Sequence, residues 1–235
     1  SALAGPMIGG WFAEADMWRG AFWAFAGQAG VLALLAPMII SRQPRAATAP
    51  PRERLPILRV AALAAAVLAI TVAGLQTALS PTLALIVGGL VGLELVFLWD
   101  RRGPDLLYPR DLWSLGHPVS AGLLAMILLS VGTVAFTTYG PILLYRLHDT
   151  PPSVTGYILA SGSVGWSVAA VLSSSVSRRR EGLVIRLGTL LICVSSTALV
   201  LLVANGPVLA IALVFFLQGS GFGLSWAHLT RRLVT

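Results

Sequence analysis

Few side chains in this chain of 235 residues could carry out chemistry. The three histidines, His117, His148 and His228, show no His-Glu or His-Asp spacing of the kind that ligates a metal or forms a catalytic pair. The single cysteine, Cys193, lies in an apolar stretch, where we expect a small packed side chain. The glycine-rich segment 219–223 is also apolar and lacks the lysine of a phosphate-binding loop. The sequence therefore predicts no enzyme, no metal site and no cofactor.

Glu94 is the one clear charge inside a long apolar stretch. If that stretch crosses a membrane, an ionisable side chain within it is costly enough to indicate a function such as proton binding. However, Glu94 lies only five residues from the end of the stretch, so its carboxylate could also reach the membrane surface. Both interpretations, a buried proton site and an interfacial side chain, follow from the sequence.

The elements that must position these residues are typical of a membrane protein. Hydrophobic residues make up 57% of the chain and charged residues 11%, whereas about 25% of residues are charged in a soluble domain. Seven stretches could cross a hydrocarbon core of about 30 Å as helices, which takes roughly 20 residues. They are 19–40, 57–79, 81–99, 118–145, 153–176, 183–203 and 207–227. The predicted fold class is an all-α polytopic membrane protein, because lipid leaves backbone groups no partners outside helices or closed barrels.

Residues 1–13 form an eighth apolar stretch that is too short to cross the membrane. As a helix they would rise only about 20 Å. We therefore expect them to be the end of a span, and the chain to be a piece of a larger protein.

Arginine predicts the orientation, because it supplies all sixteen positive side chains. The arginine-rich connections hold Arg42, Arg45, Arg52, Arg54, Arg101, Arg102, Arg110, Arg178, Arg179, Arg180, Arg231 and Arg232. The positive-inside rule makes that side cytoplasmic. The outward connections are then 14–18, 80, 146–152 and 204–206. The net charge of +7 therefore indicates orientation, in what we expect to be a bacterial cytoplasmic membrane, and not nucleic-acid binding.

Two linkers divide the chain. Residues 41–56 are rich in proline and arginine and predict an extended cytoplasmic tether. Residues 100–117 alternate leucine, tyrosine and tryptophan with charges, which suits a segment on the cytoplasmic membrane surface. Between the linkers, Ser80 and Pro81 leave almost no loop, so two spans should form a tight antiparallel hairpin. The predicted units are 1–40, the hairpin 57–99 and 118–235.

Glycine spacing near the start predicts a close helix contact. Gly5 and Gly9 form a Gly-x-x-x-Gly face, Gly10 follows, and Pro6 removes one backbone donor and bends the helix. A generic small-residue contact is the alternative. The pairs Gly88 and Gly92, and Gly219 and Gly223, favour plain packing.

Gly5-Pro6-x-x-Gly9-Gly10, followed by Trp18-Arg19-x-x-Phe22, resembles a known pattern. It is similar to the fifth-helix antiporter motif and the next helix of the major facilitator superfamily, in its fourteen-span drug:proton antiporter branch. Segment 104–113 resembles the stretch before the first helix of that branch's C-terminal bundle. Similar features continue through the first two helices of that bundle and the basic turn after them: Tyr139-Gly140-Pro141, Thr155-Gly156, Gly165, Arg178-Arg179-Arg180 and Gly182. Phe25 and Gly27 depart from the branch, which has Asn and Pro there.

The resemblance implies roles for several residues. Residues 1–40 would close the N-terminal bundle, 57–99 would be the extra helix pair and 118–227 would be four helices of the C-terminal bundle, which would need the remaining helices of the transporter as partners. Helices that line the substrate cavity would carry Thr137, Thr138, Tyr139, Gln218 and Trp226, although each could instead be an interhelical hydrogen bond or a packed ring. Arg178, Arg179 and Arg180 would be a gating turn or a solvated orientation signal. Gly5 and Gly9 would face the span 153–176 around Gly162 and Gly165.

These observations predict a transporter that exports small organic compounds in exchange for protons by alternating access. Its expected partners are the substrate, protons and the lipid bilayer. The alternatives are an importer or uniporter of the same fold, and a membrane scaffold or sensor that does not transport.

Overall fold

The computed structural model describes residues 4–40, 56–102, 116 and 118–234, and in these ranges every regular element is a helix. The helices are α1 Ala4–Glu14, α2 Trp18–Ile40, α3 Ile57–Ala73, α4 Leu79–Asp100, α5 Pro118–His148, α6 Pro152–Ser173, α7 Glu181–Leu202 and α8 Val208–Val234. Within the described chain six of them, α2 and α4 to α8, are long and apolar enough to cross a membrane. The predicted all-helical membrane fold is confirmed.

The predicted span 57–79 is shorter in the structure, where it is helix α3. It has 17 residues, which rise about 25 Å, and it ends at Ala73 instead of residue 79. The backbone N–H of Gly74 donates to Thr71 at 3.1 Å, in the tight geometry of a closing helical turn. Glycine also costs a helix about 1 kcal/mol relative to alanine. The apolar run therefore continues past the point where the helix ends.

Helices α3 and α4 form one of two packing units, as the predicted antiparallel hairpin. Arg59 in the first turn of α3 donates to Asp100 at the end of α4, with 2.9 Å between Nη1 and Oδ1. Only 2% of the Asp100 side chain is exposed, so the ion pair closes this end of the hairpin. Ser80 and Pro81, predicted as the turn, lie in the first turn of α4, and the chain reverses through residues 74–78.

The second unit holds α1, α2 and α5 to α8. His148 at the end of α5 hydrogen-bonds the carbonyl of Val203 after α7, at 2.8 Å, so these two helices end together. At the opposite end, Glu181 at the start of α7 is paired with Arg231 near the end of α8. We call these the Asp149 end and the Arg231 end. Within this unit, the connections after α5 and α7 lie at the Asp149 end, and the basic turn before α7 lies at the Arg231 end.

Glycines bring the backbones of α6, α7 and α8 together. A β-carbon on Gly219 would overlap the carbonyl of Gly162, and one on Gly223 would overlap the carbonyl of Trp166. A β-carbon on Gly188 would lie 2.6 Å from the carbonyl oxygen of Gly221. Only glycine allows such approaches, and the packing interpretation of Gly219 and Gly223 is confirmed.

Helix α5 packs onto this core through large side chains. The main cluster consists of Phe136, Leu144, Ile158, Leu199, Ile211 and Phe215. The rings of Phe136 on α5 and Phe215 on α8 are 4.7 Å apart. Side chains of this size hold α5 away from α6 and α8, which leaves cavities between the helices.

Three predictions concern the linkers and the cysteine. Most of the predicted tether, 41–56, and of the predicted surface segment, 100–117, lies outside the described residues, and both stay predictions. Cys193 is exposed on α7. The expectation of a packed core cysteine is therefore wrong, because the side chain lies on the face of α7 that turns away from the unit.

Candidate functional site

The Gly-Pro-x-x-Gly-Gly element makes the contact between α1 and α6. A β-carbon on Gly10 would lie 2.5 Å from the carbonyl oxygen of Pro152 and 3.1 Å from the α-carbon of Ser153. A β-carbon on Gly156 would overlap the carbonyl oxygen of Pro6. The two backbones therefore touch at both positions, and each contact requires glycine.

This contact corrects the predicted register. Around Gly5 and Gly9, no described atom outside their own helix lies within 4 Å of an added β-carbon. The contact is made by Pro6 and Gly10, each one residue after Gly5 and Gly9, which places the contact face about 100° around the helix. On the α6 side the contact is made at Gly156, because Gly162 and Gly165 are already packed against Phe215 and Phe216 of α8.

Polar and aromatic side chains reinforce the α1–α6 contact at the Asp149 end. The carboxylate of Glu14, the last residue of α1, accepts a hydrogen bond from the backbone N–H of Ser153 at 3.3 Å. That N–H belongs to the first turn of α6, which has no partner for it within the helix. The Trp11 ring meets the Tyr157 ring edge to face, with centroids 6.1 Å apart. Glu14 therefore caps a helix that is distant in sequence.

A cavity of about 300 Å³ lies beside this contact, between α1, α5 and α6. We call it the α1 cavity. Gly9 and Gly10 line one side, and Tyr145, Thr150 and Thr155 line another. The Thr150 hydroxyl is buried and has no hydrogen-bond partner among the described residues. A buried hydroxyl without a partner is costly.

A second cavity of about 300 Å³ lies between α5, α6 and α8. We call it the aromatic cavity. Its lining residues are Ser130, Thr133, Val134, Thr137, Leu159, Gly162, Ser163, Trp166, Phe215, Gln218, Gly219 and Phe222. No charged side chain is among them, and the volume is at the lower end of the roughly 300 to 1,000 Å³ typical of small-molecule sites.

The structure places the five cavity candidates differently. Thr137 and Gln218 line the aromatic cavity. Tyr139 lines a separate cavity of about 530 Å³ between α5 and α7, which Gln218 also reaches. Trp226 lies outside these cavities, and its ring stacks on Phe222 at 5.1 Å. Thr138 is exposed on α5 and lines none of the three.

Gln218 has an incomplete set of hydrogen bonds. Its side-chain nitrogen donates to the Ser196 hydroxyl at 2.7 Å. Its side-chain oxygen has no donor among the described residues, although the residue is only 3% exposed. Gln218 therefore lines two cavities, while its unpaired oxygen is buried beneath their surface.

The remaining candidates lie outside the cavities. Trp18 and Arg19 begin α2, where the Arg19 guanidinium lies 4.7 Å from the centre of the Trp18 ring. Glu94 is exposed on α4, in the hairpin unit. The three arginines of the basic turn, Arg178, Arg179 and Arg180, are exposed just before α7. Their roles stay predictions.

Sequence reasoning missed the residue after the basic turn. Glu181 is 3% exposed and is held by Arg231 and by Arg232, whose Nε lies 3.3 Å from Oε2. Arg231 also approaches the carbonyl of Val176 at 3.5 Å. The sequence did contain a signal for this ion pair. Glu181 begins one helix, and the basic pair Arg231 and Arg232 ends the next. In the described part of the chain, no three His, Cys, Asp or Glu side chains come together as a metal site would require.

Comparison with known proteins gives the family. The family model described as Major Facilitator Superfamily matches residues 1–232. Two curated proteins, from two strains of Mycobacterium tuberculosis, are 29% identical over 99% of this chain, and both are named probable multidrug-efflux transporter. The chain spans about half the length of these relatives, 51% of each, and no solved structure matches it. Six helices among the described residues are long and apolar enough to cross a membrane, and this chain is therefore an integral membrane protein that belongs to the Major Facilitator Superfamily.

Proposed function

We propose that the intact protein, meaning these 235 residues with any native sequence that flanks them, exports small organic compounds in exchange for protons. Transport would proceed by alternating access, in which α1 and α6 separate and rejoin as two bundles rock against each other. The relatives named as multidrug-efflux transporters support the direction and the kind of substrate.

The contact of Pro6 and Gly10 with α6 is the observation that carries this proposal. It lies between the Asp149 end and the aromatic cavity, because Gly156 precedes Gly162 of the cavity by about 9 Å along α6. At Gly10 and Gly156 the two backbones touch, and the α1 cavity lies beside this contact. The arginine pattern supports placing the Asp149 end outside the cell, where this contact would act as the outer gate.

Proton coupling needs a group that binds and releases protons, and none of the side chains lining the aromatic cavity is acidic. Glu94 is the candidate that the sequence suggests, and it lies within two turns of the end of α4, from which its carboxylate could reach the membrane surface. We assign the main proton site to another part of the intact protein. Glu94→Gln should then retain proton-coupled export, and loss of coupling with normal folding would return the role to Glu94.

Two other functions need separate tests. An importer or uniporter of the same fold would move substrate without a proton requirement. A scaffold or sensor would not move substrate at all.

Flux in liposomes that contain the intact protein separates the three. Ethidium is supplied outside, with the lumen acidified so that inward dye movement can be exchanged for outward protons. The proposal predicts accumulation that disappears when a protonophore collapses the gradient. Equilibration that ignores the gradient would indicate a uniporter, and liposomes no more permeable than protein-free ones would indicate a scaffold.

A further inference from the structure

We propose that the arginines at the Arg231 end bind the phosphate of an anionic phospholipid, and that the bound headgroup holds the turn between α6 and α7 against the end of α8. We call these arginines the basic patch: Arg178, Arg179, Arg180, Arg231 and Arg232. The proposal concerns lipid binding and does not depend on what the intact protein transports.

The fold brings two separate runs of arginine to one place. Arg231 donates to the carbonyl of Val176 at 3.5 Å and to the carboxylate of Glu181. Val176 precedes the three arginines of the turn and Glu181 follows them, so Arg231 contacts the chain on both sides of the turn. All three arginines of the turn are exposed. The turn and the end of α8 therefore form one surface.

The charge of this surface is not balanced by the protein. Glu181 is the carboxylate within it, and both of its oxygens are engaged, one by Arg231 and the other by Arg232. The other described carboxylates of this unit, Glu14, Asp16 and Asp149, lie at the opposite end. Five guanidinium groups thus share one carboxylate, which leaves the patch strongly positive.

Arg232 is already oriented to receive an anion. It holds Glu181 through Nε, at 3.3 Å, and neither of its Nη nitrogens has an acceptor among the described residues. Its side chain is 50% exposed. A guanidinium that is fixed by one nitrogen presents its other N–H groups in a geometry that fits two oxygens of a phosphate. Because the pair with Glu181 already orders this side chain, little further rotamer entropy is lost on binding.

The position of the patch favours a lipid as the source of the phosphate. It lies at the ends of α6, α7 and α8, three helices that are long and apolar enough to cross a membrane. Helix ends of this kind lie at the depth of the headgroups, where each arginine attracts anionic lipids. A patch that only sets the orientation would show no saturable binding, so the two roles can be separated.

Hydrogen exchange of segment 174–184 measures binding at this site. The intact protein is placed in nanodiscs of phosphatidylcholine that contain increasing fractions of phosphatidylglycerol. We expect exchange in this segment to slow about tenfold and then reach a plateau, because a lipid that binds only the closed turn stabilises it according to its occupancy. Glycerol 3-phosphate, added at millimolar concentration to nanodiscs of phosphatidylcholine alone, should give no protection. Equal protection by this soluble phosphate would overturn the assignment to a lipid.

Substitutions assign the protection to the patch. Arg179→Gln should raise the fraction of phosphatidylglycerol needed for half of the protection about fivefold. The combined variant Arg178→Gln, Arg179→Gln and Arg180→Gln should lose the protection. Arg146→Gln, at an exposed position near the Asp149 end, is the control and should respond like the unsubstituted protein. Exchange that does not respond to phosphatidylglycerol, or protection that is unchanged in Arg179→Gln, would overturn the proposal.

Discussion

The carbonyl oxygen of Pro6 lies against the α-carbon of Gly156 so closely that a β-carbon there would overlap it. Gly10 makes the reciprocal contact with Pro152, whose carbonyl oxygen would lie 2.5 Å from an added β-carbon. Each helix thus supplies one glycine and one proline carbonyl to the contact. The outer gate in our account consists of these four residues.

Adding one methyl group to the contact should weaken it. We predict that Gly10→Ala lowers the unfolding temperature of the intact protein and reduces export, because overpacking costs about 1 to 3 kcal/mol. This exceeds the gain of about 1 kcal/mol that alanine gives a helix interior. Unfolding temperature in detergent and dye export from cells are the measurements.

Gly9→Ala is the control for this prediction, one residue away on the same helix. An added β-carbon at Gly9 has open space among the described residues, so stability should stay the same or rise. The expectation from the sequence that Gly9 faces the span 153–176 is thereby replaced. Equal effects of Gly9→Ala and Gly10→Ala would show that α1 does not approach α6 in this register.

Glu14 should stabilise α6 as a hydrogen-bond acceptor for the Ser153 N–H, and this effect can be tested apart from the effect of the Glu14 charge. Glu14→Ala removes the acceptor for the Ser153 N–H, and loss of a helix cap costs about 0.5 to 2 kcal/mol. Glu14→Gln keeps an acceptor and should lose less. Asp16→Asn removes a charge from the same connection, where φ is 57° and asparagine is tolerated, and should behave like the unsubstituted protein. If all three variants unfold at the same temperature, the cap contributes nothing.

The pairing of α1 with α6 could be predicted from sequence, but its details could not. Small residues at Gly5, Gly9 and Gly10 indicate a contact on either of two adjoining faces, and only the fold shows that α8 already covers Gly162 and Gly165. Likewise, apolar residues continue beyond Ala73 although α3 ends there, because hydropathy records burial in lipid and not the end of hydrogen bonding. These errors concern which face of α1 makes the contact and where α3 ends. Both depend on neighbouring helices.

The site was less predictable than the fold for the same reason. The partner of Gln218 is Ser196 on a different helix, and the partners of Glu181 lie 50 residues away or more. Hydropathy and spacing within one helix contain no information on such pairs. A buried polar side chain was visible in the sequence, but its unused acceptor was not.

The Glu181 pairing should hold α7 and α8 together at the Arg231 end. We predict that Glu181→Gln lowers the unfolding temperature and increases hydrogen exchange at the start of α7, because Arg231 and Arg232 lose their shared carboxylate. Arg186→Gln, an exposed position on the same helix, is the control and should have little effect. Faster exchange in both variants alike would argue against a specific pairing.

Labelling of introduced cysteines should fix the orientation. In a Cys193→Ala background, Asn205→Cys should react in intact cells with a reagent that cannot cross the membrane, and Arg178→Cys should react only after lysis. These two residues lie at opposite ends of the helical unit that contains α7. Reaction of Arg178→Cys in intact cells would reverse the topology and place the α1–α6 contact on the cytoplasmic side.

Proton movement driven by the substrate alone tests the central claim most directly. The intact protein is reconstituted in liposomes at equal pH on both sides, ethidium is loaded inside, and the luminal pH is followed as the dye leaves. Antiport requires the lumen to acidify as dye moves out, because each exit admits protons, and Gly10→Ala should reduce both movements together. Dye exit with no pH change beyond that of protein-free liposomes would contradict proton-coupled export.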